Sequence, residues 1–254
     1  MDRSTSLIHD DETVESLFGG RLRILQKKRG YRYTIDSILL AHFVELREEE
    51  RLLELGAGSG VISLVLAFRC PTLRVTGIEI QEDLAGMAGR SVLMNGLESR
   101  VGILHGDARR ADDLLKARSC DVAVFNPPYR KVGSGKMNPQ AEKALARHEI
   151  AGSVTDFLRA AAHALKPGGR VCLIYPCSRM AEAIHQMRSK KLEPKRLRMV
   201  HSRPGSRGDF ILVEGLKGGG EELSVLPPLF IYKENEGYSE ELDVLFRNLS
   251  AHAE

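Results

Sequence analysis

An α/β fold built on a doubly wound, mostly parallel sheet is expected from three observations. Strand-length apolar runs alternate with helical stretches from residue 51 onward, glycines cluster between the first run and the first helix, and acidic or amide residues close successive runs. Parallel neighbours require crossover connections, so helices should cover both faces. Seven strands are expected. The last two are joined only by the short segment Arg203-Pro204-Gly205-Ser206-Arg207-Gly208, which demands an antiparallel hairpin.

In chain order, residues 1–16 are polar and acidic and are expected to be loose. Residues 17–26 alternate in character and suggest a small hairpin turned at Gly19-Gly20. Thr34 is a plausible cap for a helix through Val44, with Ile35, Ile38, Leu39 and Phe43 on its apolar face. Strands are expected at 51–55, 72–80, 101–105, 121–125, 170–175, 197–201 and 210–216, and helices at 61–68, 81–95, 112–116, 155–165 and 178–189. Residues 226–232 read as extended and 240–249 as a short helix. A catalytic domain over 47–216 would carry an N-terminal extension over 1–46 and a C-terminal one over 217–254.

The 254 residues are 43% hydrophobic and 28% charged, as in an ordinary globular chain. No apolar run reaches membrane-spanning length, and the first residues lack the pattern of a secretory signal, so a cytoplasmic location is expected. Cys70, Cys120, Cys172 and Cys177 form no C-x-x-C pair, and no metal site is expected. The net charge of +3 is compatible with an RNA substrate held by local patches. The run Lys27-Lys28-Arg29-Gly30-Tyr31-Arg32-Tyr33 interleaves basic and aromatic residues, which suits phosphates and stacked bases as well as it suits a solvated turn.

Two motifs carry chemistry. In the first, Glu54-Leu55-Gly56-Ala57-Gly58-Ser59-Gly60, the third glycine follows the second by two residues where a dinucleotide fingerprint wants three, and an acid precedes the first. That suits S-adenosylmethionine, which has no phosphate, with Glu54 near its methionine end. Glu79 at the next strand end is placed for ribose hydroxyls and Asp107 at the third for the adenine amine, although Asp107 also reads as a turn cap. In the second motif, Asn126-Pro127-Pro128-Tyr129, two prolines stiffen a strand end. The Asn126 amide oxygen and the Pro127 carbonyl suit the two N–H groups of an amine, and Tyr129 suits the face of a base.

These motifs resemble those of class I S-adenosylmethionine-dependent methyltransferases, a Rossmann-like fold, with the amino-methyltransferase signature at Asn126 to Tyr129. Residues 31–36, Ala146-Arg147-His148-Glu149 and 203–210 are similar to the tRNA adenine-N6 methyltransferases that modify the adenine 3′ of the anticodon in a valine tRNA. The resemblance implies a cofactor set of Thr34, Asp36, Glu54, Gly56, Ala57, Gly58, Gly60, Glu79, Ile80, Asp107, Ala108 and Asn126, with Thr34 and Asp36 closing over the methionine end. Asn126, Pro127 and Tyr129 would be catalytic. The candidate RNA contacts are Lys27, Lys28, Arg29, Arg32, Arg130, Lys131, Lys136, Arg147, Arg203 and Arg207. The expected partner is a tRNA anticodon loop, with monomer and homodimer both open. Methylation of a protein glutamine amide or an rRNA base amine, and a non-catalytic RNA-binding subunit, remain alternatives.

Overall fold

The computed structural model describes residues 7–30, 32–127 and 152–251, with backbone alone over 247–251. Pro128, Tyr129, Arg130, Lys131, Lys136, the 146–149 motif with Arg147, and Tyr31 lie outside the described residues.

Two short strands, β1 (Glu12–Leu17) and β2 (Leu22–Lys27), form an antiparallel hairpin. The expected looseness of residues 1–16 fails over Glu12–Ser16. Glu12 is only 3% exposed, and its carboxylate takes both terminal nitrogens of Arg90 at 2.6 and 2.7 Å. The Arg90 bonds, together with those from His9 and Lys27, hold the Glu12 carboxyl down at about 2 against its burial. A buried acid reads as polar in sequence because its partner lies far along the chain.

Helix α1 (Ile35–Phe43) leads to the main sheet. The sheet comprises β3 (Arg51–Leu55), β4 (Arg74–Glu79), β5 (Val101–His105), β6 (Cys120–Phe125), β7 (Leu165–Pro176), β8 (Leu192–His201), β9 (Gly208–Lys217) and β10 (Ser224–Phe230). The order is β10-β8-β9-β7-β6-β3-β4-β5, and β9 alone runs antiparallel to its neighbours. The sheet therefore has eight strands rather than seven. The expected 226–232 segment overlaps the edge strand β10 (Ser224–Phe230), which runs parallel to β8, and the register shift between Leu226 and Leu229 accommodates Pro227 and Pro228, which an edge tolerates. The expected antiparallel hairpin is β8–β9.

Between strands lie α2 (Val61–Arg69), α3 (Glu82–Met94), α4 (Ala111–Leu114), α5 (Val154–Ala164) and α6 (Met180–Ser189), and α7 (Glu240–Ala251) follows β10. The central strands are buried on both faces, so they read as nearly continuous apolar runs. Val122, Val124, Cys172 and Ile174 face the core shared with α1, α2, the hairpin residues Phe18, Leu22 and Ile24, and Leu242 and Leu245 of α7. Ala123, Phe125, Leu173 and Tyr175 face the core shared with α5 and α6. Cys120 and Cys172 are unpaired core residues, and burial pushes the Cys120 thiol up to about 12. No helix among the described residues is long and apolar enough to cross a membrane.

Strand order reverses at β3, with β4 and β5 on one side and β6 on the other. The crevice outside the carboxyl ends of β3 and β6 is where such a sheet binds ligands.

Candidate active site

The glycine loop leaves β3 at that crevice. Gly56, Gly58 and Gly60 have φ of 71°, 54° and 77°, the left-handed region that favours glycine. Space also matters. A Cβ on Gly56 would stand 3.1 Å from the Phe157 ring, and one on Gly60 would stand 3.0 Å from Ala88 Cβ. At these two positions the missing side chain makes room for protein rather than for ligand. The amides of Gly56 and Ala57 donate to the Ile78 carbonyl at 2.8 and 2.9 Å, pinning the loop to β4.

Glu54, expected near the methionine end of the cofactor, is buried. It is 1% exposed, and its Oε2 accepts from the Ser63 amide at 2.9 Å and from the Ser63 hydroxyl. Gly60 at the start of α2 supplies no side-chain cap, so the strand acid caps the helix instead. Burial pushes the Glu54 carboxyl up to about 8 against the Ser63 bonds. An acid already sits at the helix N-terminus where a pyrophosphate would bind.

Glu79, at the end of β4, is 5% exposed. Its two oxygens accept from the Gly58 amide at 2.8 Å and the Gln81 amide at 2.9 Å. Burial raises its pKa above the ordinary value, while these amides pull the other way. The Ile80 carbonyl lies 3.1 Å from His105 Nε2. Asp107 caps the turn beginning at Ala108, accepting from the Arg109 amide at 2.8 Å and pairing with its guanidinium at 2.7 Å. Partial burial pushes the Asp107 carboxyl up, but the Arg109 bonds and charge outweigh it and leave it below its ordinary value.

Asn126 leaves β6 beside the loop, and Pro127 behind it is buried. The Asn126 amide nitrogen donates to Asp36 Oδ2 at 3.0 Å and lies 3.4 Å from Ser37 Oγ. Asp36, 6% exposed, also accepts from the Ser37 amide at 3.1 Å and from the Thr34 hydroxyl. The start of α1 and the end of β6, some 90 residues apart in sequence, thus meet at one amide.

The basic segments divide. Lys27 pairs with Asp11 at 2.9 Å and Glu12 at 3.3 Å, Lys28 donates to the Asp10 carbonyl at 2.7 Å, and Arg32 pairs with Glu15. The acidic β1 region neutralises Lys27 and Arg32, while Lys28 meets only a backbone carbonyl and is exposed with Arg29. Arg203 donates to the carbonyls of Lys233, Glu234 and Asn235 at 2.6, 3.0 and 2.7 Å and lies over the Tyr232 ring, so it braces the C-terminal loop. Arg207 is exposed just before β9, whose Phe210 pairs with Pro176 at the carboxyl end of β7. That puts Arg207 on the same sheet edge as Asn126.

Sequence reasoning missed Ser37, Ser63 and Ser59. Ser63 and Ser37 read as ordinary helix residues, and only the tertiary contacts give them roles. Ser59 Oγ is one of two buried side-chain polar atoms among the described residues without a hydrogen-bond partner, and it sits inside the glycine loop.

The family model for the methyltransferase small domain matches residues 34–190. The chain belongs to that family. The match begins at Thr34 and so takes in both ends of the Asp36–Asn126 contact. Among curated relatives, a protein of Pedobacter heparinus named tRNA1(Val) (adenine(37)-N6)-methyltransferase is 33% identical over 57% of this chain and 60% of its own length. One of the same name from Porphyromonas gingivalis is 31% identical over 65% of each chain. The chain thus spans less than two thirds of the length of these relatives. Their name is that of the family the motifs resemble. Among solved structures, a predicted O-methyltransferase of Agrobacterium tumefaciens superposes with a TM-score of 0.69 at 25% identity, covering 85% of this chain and 97% of its own. A geranyl diphosphate methyltransferase solved with sinefungin gives 0.54 at 12% identity over 72% of this chain and 78% of its own, a likeness of fold alone.

Proposed function

We propose that this chain transfers a methyl group from S-adenosylmethionine to the exocyclic N6 amine of an adenine in tRNA, within an anticodon loop. The observation that carries this reading is the Asn126 amide, held at the carboxyl end of β6 beside the glycine loop with its nitrogen donating to Asp36. The names of the tRNA-methylating relatives support the substrate.

The crevice fits this cofactor. The orphaned Ser59 hydroxyl offers a polar group to a ligand, Glu79 has lone pairs beyond its two amide bonds for ribose hydroxyls, and Glu54 fills the helix N-terminus that a phosphate would need. Gly56 to Gly60, Glu79, Ile80, Asp107 and Ala108 would hold it, with Thr34 at its edge. When bound, S-adenosylmethionine supplies an electrophilic methyl group. The residues' part is orientation. The adenine amine is a weak nucleophile because its lone pair is delocalised into the ring. Accepting its hydrogens at Asn126 and at the Pro127 carbonyl favours a more tetrahedral nitrogen and aims the lone pair. Positioning then supplies most of the acceleration. The base must leave its stack to reach the crevice, which an RNA loop permits at low cost.

The decisive experiment is transfer of labelled methyl to total RNA followed by nucleoside analysis. N6-methyladenosine is expected, and label appearing only in protein would overturn the proposal. Glu79→Ala should weaken S-adenosylhomocysteine binding in calorimetry by about 1–3 kcal/mol through lost charged hydrogen bonds; unchanged affinity removes Glu79 from the site. Arg207→Ala should lower the salt slope of tRNA binding by about one, as for a lost phosphate contact. Arg203→Ala should leave the slope alone and reduce thermal stability, since its partners are backbone carbonyls of the chain itself.

A further inference from the structure

Asp107 is the acid placed for the adenine amine, and both its oxygens are already engaged by Arg109. Oδ1 accepts from the Arg109 amide at 2.8 Å and from Arg109 Nε at 3.0 Å. Oδ2 accepts from the same Nε at 2.9 Å and pairs with Nη2 at 2.7 Å. A carboxylate offers about four lone-pair sites, and these contacts use both oxygens twice. An amine arriving at Asp107 therefore competes with the guanidinium. Glu54 and Glu79, the other acids of the crevice, have no such competitor, since they accept from amides and a hydroxyl.

The guanidinium has a second place to go. Its stem lies against the start of α5, where a Cβ on Gly152 would stand 3.2 Å from Arg109 Cγ and 3.5 Å from Asp156 Cβ. Asp156 closes the capping box of α5 with one oxygen alone. Its Oδ2 accepts from the Ser153 amide at 2.9 Å and the Ser153 hydroxyl at 2.7 Å, and its Oδ1 has no hydrogen-bond partner among the described residues. Behind Asp107, Asp156 adds to the negative field at the Arg109 guanidinium. The Arg109 backbone is held meanwhile, because Arg159 of α5 donates to its carbonyl at 2.5 Å. The Arg109 side chain is 40% exposed, so rotation about its own torsions can carry the charge from Asp107 toward Asp156.

We propose that Arg109 is a latch on the adenine end of the cofactor site: it pairs with Asp107 until the adenine amine takes that carboxylate, and then shifts to Asp156. The proposal rests on Asp107 being the acceptor for the adenine amine. Cofactor entry exchanges one ion pair for another, and affinity falls by the difference between the two. Selectivity follows as well. A purine without the amine offers Asp107 no donor to displace the guanidinium, so the latch stays shut against it.

The test is calorimetric binding of S-adenosylhomocysteine, a zwitterion, to the wild-type protein, Arg109→Met, Asp107→Ala and the double variant, with thermal unfolding followed throughout. Methionine keeps an unbranched stem and removes the charge. Arg109→Met should bind about 2- to 5-fold tighter, the range for a partly exposed ion pair. Asp107→Ala should bind roughly 10-fold weaker or more. Adding Arg109→Met to it should change nothing, because no acceptor is left to compete for. Asp156→Asn, whose amide oxygen can still cap α5, should bind about 2- to 5-fold weaker and be silent alongside Arg109→Met. The analogue with hydrogen in place of the adenine amine should gain nothing from Arg109→Met. Unchanged or weaker binding by Arg109→Met would overturn the proposal, as would an equal gain in the Asp107→Ala background. Unchanged affinity in Asp107→Ala would instead sink the placement of the adenine amine at Asp107, and the latch with it.

Discussion

Replacing Asn126 with alanine is expected to slow methyl transfer by roughly 10²-fold or more, the scale for losing one preorganised polar contact at a reacting group. S-adenosylhomocysteine affinity should barely move if the amide meets only the target amine. The contact gains strength as the nitrogen becomes tetrahedral and charged, so turnover should fall more than tRNA affinity. Single-turnover rates at saturating cofactor and tRNA separate the two. Thermal unfolding must be followed in parallel, because the substitution also strips Asp36 of a hydrogen-bond donor in a buried setting. A wild-type rate in a folded Asn126→Ala protein would reduce the Asn-Pro-Pro segment to a turn.

The second large effect concerns stability. Glu54 has its carboxyl pushed from an ordinary 4.5 up to about 8 by burial. Between those values the folded chain holds a proton that the unfolded chain has released. The contribution is fully present below about pH 4.5 and is lost as pH rises through 8. Glu54→Gln cannot ionise, yet its amide oxygen can still accept from the Ser63 amide. It should therefore gain stability relative to wild type as pH rises from 5 to 8.5, by up to an amount on the order of 5 kcal/mol for the span from 4.5 to 8. Denaturant midpoints at three or four pH values measure this. Parallel pH curves for the two proteins would mean that Glu54 is ionised in the folded state, with the helix cap then formed by a carboxylate.

Much of this was readable because local chemistry forced it. The two prolines after Asn126 end β6, and the glycines at positive φ mark the β3–α2 turn. The strands that sequence missed or misplaced are those for which local rules point the wrong way. Pro227 and Pro228 argue against a strand, and β10 exists because it lies at an edge and shifts register there. Glu12 argues against burial, and β1 buries it because Arg90 of α3 meets it. The same distinction runs through the site. Glu79 could be placed from its strand end, but the capping role of Glu54 and the meeting of Asp36 with Asn126 depend on packing between segments that no local pattern joins. The basic run was legible as charge; its neutralisation by Asp11, Glu12 and Glu15 was not.

Besides the Glu12–Arg90 pair, the N-terminal hairpin is fastened to α3 and its C-cap where the Leu25 amide donates to Ser91 Oγ at 3.0 Å and the Arg23 amide to Asn95 Oδ1 at 2.9 Å. From that anchorage the buried Gln26 side chain reaches forward and accepts from the Tyr33 amide at 2.9 Å, one residue before Thr34. The hairpin is therefore a mould for the entry of α1. Opening it would release the stretch that carries Asp36, and the Asn126 amide would lose a hydrogen-bond partner without any residue near the crevice having changed. Order at the hairpin should therefore support order at the Asn126 amide, so the tolerance of this chain to change is set in part by two strands outside the main sheet.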